Sequence, residues 1–288
     1  DCSKAFYYFD NCQRVSPLPR TKRAIKMKLR IATWNINSIR LREAQVCRLL
    51  KEFAPDILCL QETKSITEEI PKENFNSLGY KYQVFRGQKS YNGVGIISRL
   101  PIKDLGHHNF CSKSDARHLR VSLTNDVVIE NFYVPAGGDI ADRTVNEKFG
   151  HKLDFLKEMR GNFTKVRPIK TIVVGDLNIA PLEHDVWSHK QLINVVSHTA
   201  IEIEFLNAVI EAGEFVDIIR KDIPEGKLYS WWSYRSPNWE ISDRGRRLDH
   251  ILATKDIVSK EHSSFILKQT RSWERPSDHV PVFAEFHV

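Results

Sequence analysis

The chain has 288 residues, 41% of them hydrophobic, and 43 Lys and Arg stand against 36 Asp and Glu for a formal charge of +7. That composition fits a globular protein and excludes collagen-like or low-complexity chains. No apolar run approaches the roughly 18–20 residues of a membrane helix, so a membrane-spanning protein is excluded too. The charge is unevenly spread. Residues 1–26 carry Lys4, Arg14, Arg20, Lys22, Arg23 and Lys26 against only Asp1 and Asp10. Net charge is therefore a weak pointer to a nucleic-acid partner.

Residues 1–26 show no sustained period, and Pro17 and Pro19 break their only candidate element. The apolar stretch Ala5–Phe9 is too short for a signal peptide. We expect this segment to be an N-terminal extension outside the fold, Met27 to be the natural start, and residues 27–288 to form a single domain. A strand opens at Lys28 and runs through Ile31–Trp34 into a loop with Asn35 and Asn37. Leu41, Val46, Leu49 and Leu50 give helical spacing over Arg40–Phe53, ending before Pro55. Short apolar strands are expected at Ile57–Gln61, Tyr80–Phe85, Gly93–Ser98, Val127–Val134 and Lys170–Val174. Helices are expected at Val145–Phe163 and Ile201–Ala212, the latter stopped by Gly213. Further strands are expected at Phe215–Ile219, Leu228–Trp231, Leu248–Thr254, Ser264–Leu267 and Val282–Phe286. Strands and helices alternate without a linker or repeat, which predicts one large α/β domain with mixed sheets and helices outside.

Five cysteines with no CxxC or Cys/His ligand spacing argue against a disulfide framework or a structural zinc site. Cys59, inside Ile57–Leu60, is expected in the core.

The informative pattern lies at the ends of the apolar strands. Trp34 runs into Asn35, Leu60 into Gln61 and Glu62, Val174 into Gly175, Asp176 and Asn178, Leu248 into Asp249, and Ser277-Asp278-His279 precedes the last strand. One acid after a strand is most simply a cap or a turn. Five such ends suggest a shared rim, where α/β folds keep their sites. Oxygen ligands of this kind suit Mg²⁺ or Mn²⁺ rather than zinc. An acid such as Asp249 could orient His279 and raise its pKa.

The blocks LRIATWNINSIR (Leu29–Arg40), LQETK (Leu60–Lys64), YNGVGIISR (Tyr91–Arg99), NFYVPAGG (Asn131–Gly138), GDLNIAP (Gly175–Pro181), RRLDHIL (Arg246–Leu252) and SDHVPV (Ser277–Val282) resemble the exonuclease III family of apurinic/apyrimidinic (AP) endonucleases. The resemblance runs from about Met27 to Val288 with all blocks in family order. It implies a four-layered α/β sandwich with two central mixed β-sheets flanked by helices. It also implies a Mg²⁺-dependent nuclease of base excision repair, with Mn²⁺ substituting. Such an enzyme cuts 5′ to an abasic site in duplex DNA and has 3′–5′ exonuclease or 3′-phosphodiesterase activity. Its partner would be double-stranded DNA with abasic or 3′-blocked lesions, with no membrane role. A monomer in a bacterial-type cytoplasm, associated with the nucleoid, is the default, with nucleus or organelle left open.

The resemblance also assigns roles. Glu62 is similar to the principal metal ligand with Asn35 beside it, and Asp278 to an alternative metal position; Asp176, Asn178 and His279 also stand near the metal. Asp176 would orient or deprotonate the attacking water, and Asn178 would hold that water and a phosphate oxygen. His279, oriented by Asp249, would stabilise charge on the phosphoryl group. Tyr133 would sit beside the phosphate as phenolate or hydrogen-bond donor. Trp231 would line the pocket for the flipped abasic sugar, while Trp232 is expected in the core. Arg40, Arg42, Arg86, Lys89, Tyr91 and a basic cluster of Arg117, His118 and Arg120 are expected on loops that grip DNA. Two departures stand out: Ala136 replaces a polar side chain of several relatives, and Arg246 an apolar or aromatic one. Arg246 and Arg247 are together expected to grip or insert into DNA differently. Two other readings compete: a same-fold phosphodiesterase on a non-DNA substrate, and a non-catalytic nucleic-acid-binding relative. Trp231 and RRLDHIL weigh against the first, and the complete acid, amide and histidine set against the second.

Overall fold

The apolar runs become two six-stranded sheets in a computed structural model that describes residues 27–236, 238–258 and 262–288. The expected extension 1–26, with Cys2 and Cys12, lies outside the described residues. The first sheet contains β1 (Lys28–Asn35), β2 (Ile57–Gln61), β3 (Tyr82–Arg86), β4 (Val94–Ser98), β13 (His262–Ile266) and β14 (Val282–His287), in the order β13-β14-β1-β2-β4-β3. The second contains β5 (Ile102–Gly106), β6 (His118–Leu123), β7 (Val128–Tyr133), β8 (Thr171–Asp176), β9 (Phe215–Asp217) and β12 (Asp249–Thr254), in the order β5-β6-β7-β8-β12-β9. A two-residue ribbon pairs β10 (Trp231–Trp232) with β11 (Gly245–Arg246). Strands β1 and β2 run parallel, as do β7 and β8, and the remaining pairs are antiparallel. Both sheets are therefore mixed.

Strand periodicity explains the layers. Alternate residues point to opposite faces. Leu29, Ile31, Ile57, Cys59, Val94 and Ile96 of one sheet meet Val121, Ile129, Ile172, Val174 and Ile251 of the other in a buried inter-sheet core. The opposite faces carry the helices. Val46, Leu49 and Leu50 of the helix Ile39–Glu52 pack on Ala32, Trp34, Leu58 and Phe283. The helices Glu147–Lys165 and Ala200–Ala212 bury Phe155, Leu156, Met159, Leu206 and Val209 against Phe132, Val173 and Leu252. Each such fully buried side chain contributes about 1.5–3 kcal/mol. The result is the expected four-layered sandwich.

The same parity delivers the site. Asn35, Gln61, Tyr133, Asp176 and Asp249 fall on the inward-facing parity of their strands, at or beside the ends where apolar residues give way. A polar layer seals the core beneath that rim. The Gln61 amide donates to Thr33 Oγ1 (2.9 Å) and Asn131 Oδ1 (2.8 Å), and the Asn131 amide donates to the carbonyls of Leu60 and Gly95 (both 3.0 Å). Gly175 is required in this layer. Its φ is 140°, and a Cβ there would collide with the carbonyl of Phe132 on the neighbouring strand.

Four sequence expectations need correction. The strand expected over Phe215–Ile219 stops at Asp217, because the Asp217 carboxylate accepts from Arg220 N (3.2 Å) and starts a short helix. The strand expected over Leu228–Trp231 reduces to Trp231–Trp232, because Ser230 Oγ accepts instead from the amides of Leu248 and Asp249 (both 3.0 Å). The sequence pattern does not reveal strands β5 and β6. The first is short and half-exposed, and the second begins within the supposed basic loop. His118 is fully buried there, its Nε2 3.1 Å from Glu130 Oε2, and Arg120 pairs with the same carboxylate, so these two members of the cluster brace strands.

Candidate active site

Tight turns aim the site's side chains. Asn37, Ser38, Glu62, Lys64 and Asn178 all have positive φ (47°, 86°, 49°, 50° and 55°) although none is glycine. Such backbone costs about 1–3 kcal/mol per residue and persists only where the surroundings over-determine it. Glu62 follows inward-facing Gln61, and its left-handed turn brings the carboxylate back to the rim. There Oε1 accepts from Asn35 Nδ2 (2.9 Å) and Tyr133 OH (2.8 Å), and Oε2 pairs with Lys64 Nζ (2.7 Å). Burial alone would raise the Glu62 pKa, but Lys64, Asn35 and Tyr133 outweigh it and hold the group below its ordinary value. Burial and the Glu62 charge push the Tyr133 phenol well upward, so this tyrosine is a neutral hydrogen-bond donor.

Antiparallel pairing of β8 and β12 sets Asp176 directly opposite Asp249. His279 completes the group. Its Nδ1 lies 2.8 Å from Asp249 Oδ2, and its Nε2 lies 3.6 Å from Asp176 Oδ2. Burial would lower the imidazole pKa, but Asp249 and Asp176 override it and push His279 up to about 10. Asp176 shows the converse. Burial, aided by Asp249 and Glu62, raises it to about 7 against the pull of His279 and Asn35. Asn35 Nδ2 donates to Asp176 Oδ2 (2.8 Å), and the backbone N–H of Asn178 to Oδ1 (2.9 Å). The amide of Asn178 is anchored on the carbonyl of Val134 (2.8 Å). Asp278 accepts from Asn37 Nδ2 (3.0 Å) and Trp231 Nε1 (2.9 Å).

Among the described residues, ligand atoms of Asp176, Asp249 and His279 lie within 4.8 Å of one another, close enough to share one ion. Glu62, the ligand expected from sequence, stands outside that group and is tied to Lys64. Asp249 Oδ1 is buried without a partner. An acid-rich, oxygen-dominated rim with an unpartnered carboxylate oxygen fits a hard divalent cation.

Beside these groups opens a cleft of about 800 Å³, lined by Glu62, Asn178, Trp231, Arg246, Asp278 and His279 among others. Trp231 is fixed on two sides: its indole N–H bonds Asp278, and the Arg246 guanidinium lies 5.3 Å over its ring. Arg246 is itself held by the Val196 carbonyl (2.9 Å) and Ser197 Oγ (2.7 Å). Trp232 is buried, as expected. Arg117 reaches the site from behind, 4.7 Å over the Tyr133 ring. Arg40, Arg86 and Tyr91 do not line the cleft. Arg40 pairs with Glu69, Arg86 bonds Asn109 and Tyr91 is exposed.

Two arginines expected to grip DNA are structural. Arg42 is buried and donates to the carbonyls of Ile36, Asn37 and Arg275. Arg247 is fully buried, bridging Asp185 (2.7 Å) and Asp217 (2.8 Å). Sequence reading also misses Lys64, although it stands in the LQETK block, and the buried Lys152.

Comparison with known proteins agrees with this geometry. Residues 32–279 match the Endonuclease/Exonuclease/phosphatase family. An exodeoxyribonuclease III of Haemophilus influenzae is 29% identical over 90% of this chain and all of its own length. The structure of an AP endonuclease from Archaeoglobus fulgidus superposes with a TM-score of 0.84 at 34% identity, over 90% of this chain and all of that one. A 3′ phosphatase from Neisseria bound to a product DNA hairpin gives 0.82 at 30% identity, over 90% and 99% of the two chains. The chain belongs to the endonuclease/exonuclease/phosphatase family, in its exonuclease III and AP endonuclease branch.

Proposed function

We propose that this chain is a divalent-cation-dependent DNA repair nuclease that hydrolyses the phosphodiester 5′ to an abasic site in duplex DNA. Mg²⁺ is the proposed cofactor, with Mn²⁺ substituting. We further propose action on 3′ ends, as a 3′–5′ exonuclease or 3′-phosphodiesterase, by a monomer whose fold is residues 27–288. The observation that carries the reading is the placing of the His279 imidazole between the buried carboxylates of Asp249 and Asp176, beside a cleft walled by Trp231.

A phosphodiester resists attack because its anionic oxygens repel the nucleophile. His279, held as imidazolium by Asp249, would offset that charge as it grows. Asp176, raised toward neutrality by burial, is suited to accept a proton from water near pH 7. Asn178 is fixed through its backbone N–H and amide, which favours one direction of attack. Tyr133 and Asn35 orient Glu62. The cation, held by Glu62 with Asn35 beside it, would supply charge neutralisation for the phosphate and the leaving oxygen. A rigid Trp231 and Arg246 wall suits an extruded sugar that carries no base, the nucleotide least costly to unstack.

The test is a duplex with one abasic-site analogue, offered beside a phosphoinositide and poly(A) RNA, with Mg²⁺ and with EDTA. The expected outcome is a metal-dependent nick immediately 5′ to the lesion and no turnover of the other two. An intact abasic duplex in both Mg²⁺ and Mn²⁺ would overturn the reading.

A further inference from the structure

Lys152 lies on the inner side of the helix Glu147–Lys165 with no solvent exposure. An ammonium has three protons to donate, and here all three are used. Nζ bonds the carbonyl of Asn178 (2.7 Å), the carbonyl of Ala136 (3.2 Å) and Glu202 Oε1 (2.5 Å). The first two belong to the loops that leave β8 and β7 at the active-site rim. The third opens the helix Ala200–Ala212, where Glu202 also accepts from the amides of Ser197 and Thr199. Ser197 in turn holds Arg246.

Burying a charge pair is seldom the cheapest way to fill a core; apolar side chains of similar volume often do as well. What an apolar side chain cannot do is satisfy two carbonyls that have left the sheet. Asn178 needs this most. It holds a left-handed backbone at φ 55°, its N–H bonds Asp176 and its amide bonds Val134. With the carbonyl taken by Lys152, Oδ1 remains for substrate on a residue that lines the cleft.

We propose that Lys152 is a positioning residue: its buried ammonium locks the carbonyls of Asn178 and Ala136 and so sets the direction of Asn178 Oδ1. The inference rests on the proposed nuclease reading for its kinetic consequence, but not for its structural one. Glu202 balances the charge and couples the same pin to Ser197 and Arg246 on the cleft wall.

The test compares wild type, Lys152→Met and the double variant Lys152→Met/Glu202→Gln. In the double variant no buried charge is stranded, and the carboxamide that replaces the Glu202 carboxylate still offers an acceptor to Ser197 and Thr199. The lysine should be missed in two ways. Exchange of the Asn178 backbone amide with solvent should quicken at least about tenfold in both variants, because its loop loses a tether. On the abasic duplex, kcat should fall about 10²-fold with KM within about twofold, as expected for a misplaced group. The double variant should regain part of the thermal midpoint lost by Lys152→Met, since no charge is stranded but two carbonyls stay unpaired, without regaining kcat. Recovery of kcat together with stability would show a merely structural ion pair and overturn the proposal. Unchanged exchange at Asn178 in the folded double variant would overturn it even if wild type cleaves no DNA. A wild type that fails to cleave while exchange quickens as expected would refute the nuclease reading and leave the positioning role standing.

Discussion

Two ionic clusters among the described residues are built on opposite principles. In the first, Asp185 and Asp217 face Arg220 and Arg247. Charges balance, and Asp185 accepts from Arg220 Nη2 (2.6 Å) and from Arg247 Nε and Nη2 (2.7 and 2.8 Å). Burial would raise the Asp185 pKa, but the two arginines outweigh it and hold the carboxylate below its ordinary range. In the second, four carboxylates, those of Glu62, Asp176, Asp249 and Asp278, stand against two directly paired cations among the described residues, Lys64 and His279. There Asp176 is raised to about 7 and an oxygen of Asp249 has no partner. Balanced buried charge is structure. Buried charge left in excess is a place for chemistry, because something must arrive to complete it.

The largest expected effect separates the two clusters. Asp176→Asn should reduce cleavage by about 10²–10⁴-fold, the range for loss of a general base. Its thermal midpoint should equal or exceed that of wild type, since a repelled acid has been removed. A variant that loses activity only because it unfolds would break the comparison. Asp185→Asn should do the reverse. Taking the only paired carboxylate from Arg220 and leaving Arg247 with Asp217 alone should cost about 3–5 kcal/mol of stability, read by urea unfolding. Activity per folded molecule should be near that of wild type.

A smaller effect is expected at Tyr133. Tyr133→Phe removes one hydrogen bond to the Glu62 carboxylate, worth about 1.5–3 kcal/mol. We expect a kcat loss of about 10–100-fold with a modestly lowered thermal midpoint, and an unchanged kcat would place the phenol outside the mechanism.

The smallest effect is spectroscopic. In metal-free protein the His279 imidazole should stay protonated as pH rises past 8, titrating near 10, because Asp249 and Asp176 favour its charged form. Asp249→Asn should move that titration downward. An NMR titration midpoint near 6.5 in wild type would contradict the assigned pairing.

How much of this is legible in the sequence follows from the range of each interaction. Short, nearly continuous apolar runs in Leu29–Trp34, Ile57–Gln61 and Thr171–Asp176 suffice for the strands, and the polar residues that end them mark the rim. The roles of Arg42, His118 and Arg247 are not legible. A basic side chain reads alike whether it meets solvent or a buried acid. The acid for Arg247 stands 62 residues away, and the carbonyl of Arg275 held by Arg42 stands 233 away. Lys152 is hidden for the same reason, since its partners belong to three separate segments. Strand β5 is illegible because Ile102–Gly106 has no buried face to impose a period.

The central claim is that the unbalanced cluster, not the balanced one, performs the chemistry. It is tested most directly by nicking of a single-abasic-site duplex in Mg²⁺ by wild type, Asp176→Asn and Asp185→Asn, each normalised to folded protein. The account predicts a nick 5′ to the lesion from wild type and Asp185→Asn at similar rates, and almost none from Asp176→Asn. Equal cleavage by Asp176→Asn and wild type would contradict it.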